Sequence, residues 1–314
     1  MDTQTLIDNL RNFTPDELEW KLALYNTRKS RDGLELEWLL CKMKGITSWV
    51  DTLKTILLEK TTAEKTVADY SPFLPDKENI GALNKVNGLI SEQITNIIVD
   101  IQNGILCPPE DFISGTAPKP TGYAFYGECK DNEGNITDQI LFMRRGNPFM
   151  TGSKIRLCIS EGNEIVTSER ALLKFSPSVD FLLIGGICYF ISASIEKDFE
   201  MENRHFALAA KRMALIADTD IISDFDQLEA VVMTTKNARK FIDFDRNVLE
   251  YIAGLPIIER EEFLSKYGVI IDNNGHMDTS DTQQCELIID LLCCRSCLDP
   301  LGRLSVANGI TPRD

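Results

Sequence analysis

Residues Val179 to Glu200 read VDFLLIGGICYFISASIEKDFE. Asp180–Ile184 and Ile187–Ile191 are apolar, β-rich runs on either side of Gly185-Gly186. Two glycines between such runs signal a tight hairpin, because the favoured two-residue turn needs positive φ at its centre. Ser192 and Ser194 follow, then a charged segment, and a helix is expected to begin near Phe199-Glu200.

Upstream of this hairpin, Tyr123–Cys129 and Ile136–Met143 flank the polar loop Asp131-Asn132-Glu133-Gly134-Asn135. Ile155–Ile159 and Leu172–Phe175 are shorter runs, and together these segments predict a mostly antiparallel sheet of about six strands. Downstream, helical spacing is expected over Phe206–Ile216, Leu228–Met233, Val248–Ala253, Glu259–Tyr267 and Glu286–Cys294. Val269–Asp272 reads as a short strand. Residues 1–65 read as helical, from the spacing of Leu6, Leu10, Phe13, Leu18 and Leu22 and then of Trp38, Leu39, Met43, Ile46, Val50, Leu53 and Leu57. A second helix is expected from Ile80 to Asn103, stopped by Gly104. Pro108, Pro109, Gly115, Pro118 and Pro120 mark a loop and the expected boundary. The fold class is therefore α+β. A helical N-terminal region, 1–118, would serve oligomer or partner contacts; an α+β domain, 119–314, would pack its sheet with C-terminal helices.

The chain has 314 residues, 43% of them hydrophobic and 26% charged, which suits a globular protein with a real core. No run of eighteen apolar residues occurs, so no spanning helix is expected. The start, MDTQTLIDNL, lacks the basic residues and cleavage site of a signal peptide. Nine cysteines, an odd number, point to reduced thiols and the cytosol. The net charge of −15 argues against a generally basic nucleic-acid binder. Any contact with phosphate must come from a local patch.

Four constellations carry chemistry. From Gln139 to Ser160 there are four cations, Arg144, Arg145, Lys154 and Arg156, and no acid. This island is a phosphate-contact candidate, set against a solvated edge whose cations pair with acids elsewhere. Lys236, Arg239 and Lys240 would extend such a track, or else form a salt-bridged helix face with Asp243 and Asp245. Asp111 followed by Glu128 and Lys130 has the layout of a metal-dependent nuclease, in which the two carboxylates hold Mg²⁺ and the lysine activates water. His276, Cys285, Cys293, Cys294 and Cys297 raise zinc, but Cys-Cys-x-x-Cys lacks a second spaced pair and reads better as core thiols. No phosphate-cradling glycine loop occurs, and His205 and His276 have no nucleophile beside them for a hydrolase triad.

Residues 179–191 with Phe199-Glu200, and downstream Glu229-Ala230-Val231-Val232 with the Lys236/Arg239/Lys240 segment, resemble the KwaB family of the Kiwa anti-phage defence system. The resemblance spans roughly residues 120–300, and the chain length agrees with it. It implies a bacterial cytoplasmic effector held at the inner face of the membrane by a transmembrane partner, KwaA. It implies binding of double-stranded phage DNA without sequence preference, which blocks replication and transcription. A homo-oligomer, in the simplest case a dimer, is expected, with no cofactor and no insertion of this chain into the membrane. The resulting expectation is a non-catalytic DNA binder; the alternatives are the Mg²⁺ nuclease and a scaffold without DNA. Replacing Arg144 and Arg145 by glutamate should abolish DNA binding if the island is the contact.

Overall fold

A computed structural model describes residues 3–30, 33–63, 65–73, 79–84, 90–108, 111, 119–148, 158–161, 164–167, 175–298 and 304–306. The chain divides into two compact units, 1–70 with 74–199, and 71–73 with 200–314.

In the first unit, α1 (Thr3–Asn12) leads into β1 (Glu19–Ser30), β2 (Gly33–Cys41), α2 (Ile46–Ala63), β3 (Thr66–Asp69) and β4 (Asn79–Asn84). Then come α3 (Ser91–Gln102), β5 (Ile105–Leu106), β6 (Gly122–Lys130), β7 (Ile136–Arg145), β8 (Cys158–Glu161), β9 (Glu164–Thr167), β10 (Phe181–Ile184) and β11 (Ile187–Phe190). Among the described residues nine strands form one sheet in the order β3-β4-β11-β10-β7-β6-β1-β2-β5. Its pairs are antiparallel except β3 with β4 and β2 with β5. β8 and β9 pair with each other apart from it.

Side-chain alternation explains the layers. Leu22, Leu24, Tyr123, Phe125, Ile140, Phe142, Leu182 and Ile184 face α1 and α2, whose Leu6, Leu10, Val50 and Leu53 close one core. The residues between them, including Ala23, Tyr25, Ala124, Tyr126, Leu141, Met143, Phe181 and Leu183, are buried as well. Gln102 of α3 reaches Tyr126 and Glu128 on that second face, which places α3 over it. A sheet covered on both faces needs near-continuous apolar strands, and this is why FLLIGGICYF has so little polar punctuation. The glycine turn forms as expected: Gly185 and Gly186 have φ of +57° and +74°, and Ile184 pairs with Ile187.

The α+β class and the mostly antiparallel sheet are those expected. The helical reading of the N-terminal region holds at α1 and α2 but fails between them, where β1 and β2 form a long hairpin in which Leu24 pairs with Leu39. Leu34-Glu35-Leu36-Glu37-Trp38 alternates with period two, and Asp32-Gly33 is a hairpin signal. Ile80–Asn84 is likewise a strand, β4, followed only later by α3. The Pro-rich stretch expected to divide the chain lies inside the first unit, where β1 and β6 pair across it.

Gly122 on β6 lies opposite Tyr25 on β1. A Cβ at this position would run into the Tyr25 ring, which has no exposure. Gly122→Ala is expected to cost about 3 kcal/mol through overpacking, read as an earlier thermal transition in tryptophan fluorescence. An unchanged transition would mean that the Tyr25 ring has room to move.

The second unit is helical. It holds α4 (Met201–Ala217), α5 (Phe225–Val232), α6 (Thr235–Lys240), α7 (Arg246–Gly254), α8 (Ile257–Ser265) and α9 (Thr282–Leu292), then the hairpin β12 (Ser296–Leu298) and β13 (Leu304–Val306). Met213, Leu228, Val232, Phe241, Ile252, Leu264, Ile288 and Leu292 form its core. Asp224, Asp245 and Asp281 cap α5, α7 and α9 by accepting from the backbone N–H groups of Gln227, Asn247 and Gln284. Arg260 of α8 donates to the carbonyls of Ile252, Ala253, Leu255 and Gly275, satisfying the end of α7. The strand expected at Val269–Asp272 is reduced to single bridges, Ile271 with Met277 beside Ile222 with Met277. Among the described residues no helix is long and apolar enough to cross a membrane.

Candidate functional site

Arg144 and Arg145 end β7, and alternation sends them to opposite faces of the sheet, opposite Tyr123 and Gly122. Each meets a buried carboxylate. Asp180, immediately before β10, accepts from Arg144 Nη1 at 2.8 Å and from the Arg145 backbone N–H at 2.8 Å. Asp198, after β11, lies 3.2 Å from Arg145 Nη1 and accepts from the Tyr25 hydroxyl at 2.7 Å. Arg145 Nη1 also donates to the Ser194 carbonyl, and Gln93 of α3 donates to the Asp198 carbonyl. The Asp180 carbonyl accepts from the backbone N–H groups of Ile191 and Ser192. One network thus joins β1, α3, β7, β10 and the turn after β11.

The carboxylates are 3% and 0% exposed, while the two arginines keep 32% and 31%. Burial raises the Asp180 carboxyl against the pull of the Arg145 N–H and the Arg144 guanidinium. Burial likewise raises Asp198, opposed by the Tyr25 hydroxyl and Arg145. Tyr25 is pushed well up, by burial first and then by the Asp198 charge. Burial thus opposes ionisation of both carboxylates, and an enclosed ion pair of this kind is by itself weak evidence of added stability. Removing one partner is another matter, because the remaining charge stays buried. The Arg-to-Glu exchange at 144 and 145 consequently tests the fold before it tests DNA. Lys154 and Arg156 lie outside the described residues.

The second cation group sits in the helical unit. Lys236 pairs with Glu286 at 2.8 Å on the surface. Lys240 is internal, 8% exposed, and pairs at 2.7 Å with Asp290, itself 9% exposed. The partners of Lys236 and Lys240 are thus residues of α9 rather than Asp243 and Asp245, and the Lys240 charge faces inward. Arg239 is half-buried. Burial, then the nearby Arg239, pushes His205 down to about 4, which keeps it neutral near pH 7.

Glu128 and Lys130 meet as strand alternation predicts, at 2.7 Å. Burial opposes ionisation of Glu128, yet hydrogen bonds from Lys130, Gln102 and Tyr126 hold it below the usual range. Asp111 follows β5, where its carboxylate is 3.9 Å from Cys107 Sγ; β1 and β2 lie between β5 and β6, about 14 Å across the sheet at ~4.8 Å per strand. The expected Mg²⁺ arrangement of Asp111, Glu128 and Lys130 thus draws on strands that are not neighbours. Among the described residues no group of three or more His, Cys, Asp or Glu is placed to hold a metal ion. Cys285 and Cys293 are buried in the helical core.

Asp180 and Asp198 organise the arginines, yet sequence reasoning alone does not pick them out as site residues. The signal that could have found them is an aspartate heading an apolar strand, and a second aspartate placed directly before the buried Phe199.

The fold and this network define an α+β protein whose sheet is pinned by buried arginine–aspartate pairs. The Kiwa protein KwaB-like family matches residues 137–295, about half of the chain, and includes β7, the hairpin, Asp180, Asp198 and the helices through α9. The chain belongs to this family, and membership places it in Kiwa anti-phage defence. Neither the curated proteins nor the solved structures contain a match to it.

Proposed function

We propose that this chain is a defence effector that holds double-stranded phage DNA without sequence preference and obstructs its replication and transcription. It acts at the inner face of the cell membrane through a transmembrane partner, KwaA, and as a homo-oligomer whose subunits pool their cations. The observation that carries this reading is the acid-free run from Gln139 to Ser160, with Lys154 and Arg156 following β7 inside the family match. Within the same run, the exposed thirds of Arg144 and Arg145 add to it. Lys236 and Arg239 supply cations from the helical unit, and Lys240 leaves the set because it is internal. With a net charge of −15, such a patch works at short range, because acids beyond about 8 Å are largely screened at physiological salt.

The test is a gel shift on two unrelated duplexes across a salt series. Equal affinities are expected, falling steeply with salt, since each phosphate contact contributes about −0.9 to the slope of log K against log salt. No retention, or binding indifferent to salt, would contradict the reading.

A further inference from the structure

Cys41 ends β2, and Cys107 directly follows β5. The two strands run parallel, with Leu39 beside Ile105 and Leu40 beside Leu106, so the next step of the register sets Cys41 beside Cys107. The Cys107 N–H donates to the Leu40 carbonyl at 2.8 Å, which carries the ladder to that step. Neighbours in register share a face of the sheet, and both residues meet one core: Cys41 is buried in it and Cys107 packs against it. The Cys41 thiol lies 3.5 Å from the Cys107 carbonyl oxygen.

Adjacent strands stand about 4.8 Å apart, within the roughly 4.4–6.8 Å between Cα atoms that a disulfide spans. Accessibility divides the pair: Cys41 is buried, whereas Cys107 is half-buried. Among the described residues β5 ends the sheet beside β2, and its Ile105 and Leu106 are 75% and 57% exposed. Little side-chain packing holds this strand, so it can shift to meet disulfide geometry. Burial pushes the Cys41 thiol up to about 11, with the nearby Cys107 adding to the shift. Burial, and then the Asp111 carboxylate, raises the Cys107 thiol. Near neutral pH the two sulfurs are therefore thiols, and their oxidation quickens as rising pH forms thiolate.

We infer that Cys41 and Cys107 form a reversible oxidation site, closed by a peroxide into a disulfide that fastens β5 to the sheet. Cys107, the accessible thiol, reacts first. Its sulfur attacks one peroxide oxygen, the O–O bond breaks, and the thiol proton goes to the departing oxygen, giving a sulfenic acid and water or an alcohol. The Cys41 sulfur then attacks the Cys107 sulfur, the S–O bond breaks, and the hydroxide leaves as water with the Cys41 proton. Two electrons pass from the two thiols to one peroxide. A dithiol reductant reopens the bond by exchange, as expected of a cytosolic disulfide that senses redox state. The bond joins residues 66 apart in sequence and so restrains the unfolded chain, which makes the oxidised first unit the more stable form.

Treating the full chain with hydrogen peroxide tests this, followed by alkylation of the remaining thiols, digestion without reductant and mass spectrometry. A linked pair of peptides carrying Cys41 and Cys107 is expected, removed by dithiothreitol, and formed about tenfold faster for each pH unit below the thiol values. The tryptophan melting transition, which reports the first unit, should rise on oxidation by about 5 °C or more and return on reduction. Cys107→Ala should abolish both the link and the rise. Cys41→Ala should leave a Cys107 sulfenic acid that dimedone traps. Peptide mapping uses the parent protein and decides the matter even where a variant is unstable. A link without a melting shift upholds the oxidation site and overturns the fastening of β5. Both cysteines alkylated after peroxide at raised pH, or either one linked to a different cysteine, overturns the proposal.

Discussion

Arg145→Met is expected to destabilise the first unit by about 3–5 kcal/mol, the usual cost of stranding a buried charge. The substitution keeps most of the side-chain volume and removes the cation 3.2 Å from Asp198. Asp198 has no exposed side-chain surface, so water cannot replace the lost guanidinium. The Tyr25 hydroxyl that remains on it is neutral and itself buried. A loss of that size is a large part of the roughly 5–15 kcal/mol that holds a typical domain together. Trp20, Trp38 and Trp49 are the chain's three tryptophans and all belong to the first unit, so their fluorescence follows this unit alone. Adding Asp198→Asn to Arg145→Met should recover much of the loss, because the stranded charge is then gone. If the single variant melts with the parent protein, Asp198 is hydrated in solution and the network is not a closed one.

The second large effect belongs to the helical unit. Lys240→Met leaves Asp290 charged and enclosed, and about 3–5 kcal/mol should again be lost. The double variant with Asp290→Leu should be far more stable than the single one, since partners in contact do not contribute additively. Helical circular dichroism reports the transition, and the tryptophan transition of the other unit should not follow it. The outcome also settles the role of this lysine. A phosphate-contact residue would lose DNA affinity with its melting intact, whereas an internal one shifts the melting.

Sequence periodicity carries much of the fold. The Gly185-Gly186 hairpin, β6 with β7, and the helices after Glu200 all stand where alternation or 3.6-residue spacing places them. The misses have a common cause. β1, β2 and β4 are rich in leucine and alanine, residues compatible with either period, and the strong helices α1 and α2 on either side of the first hairpin bias the reading between them. The Glu35–Glu37 alternation is the evidence against it. The site is legible by half. Two adjacent arginines in an acid-free run are visible in one dimension, but Asp180 and Asp198 lie 36 and 53 residues beyond Arg144 and Arg145. Only the sheet order β7-β10-β11 brings them together. Lys240 is hard to read for the same reason: its inward direction depends on α9, fifty residues later in the chain.

Arg145 and Lys240 neutralise enclosed aspartates, with Arg144 beside them on Asp180. The proposed function instead gives Lys154, Arg156, Lys236 and Arg239 to phosphate. The most direct measurement is the salt slope of duplex binding for Lys154→Ala with Arg156→Ala beside the parent protein. If both contact phosphate, the slope becomes shallower by about 1.8, at about 0.9 per lost contact, with unchanged melting of both units. An unaltered slope and affinity in a folded variant would contradict that assignment.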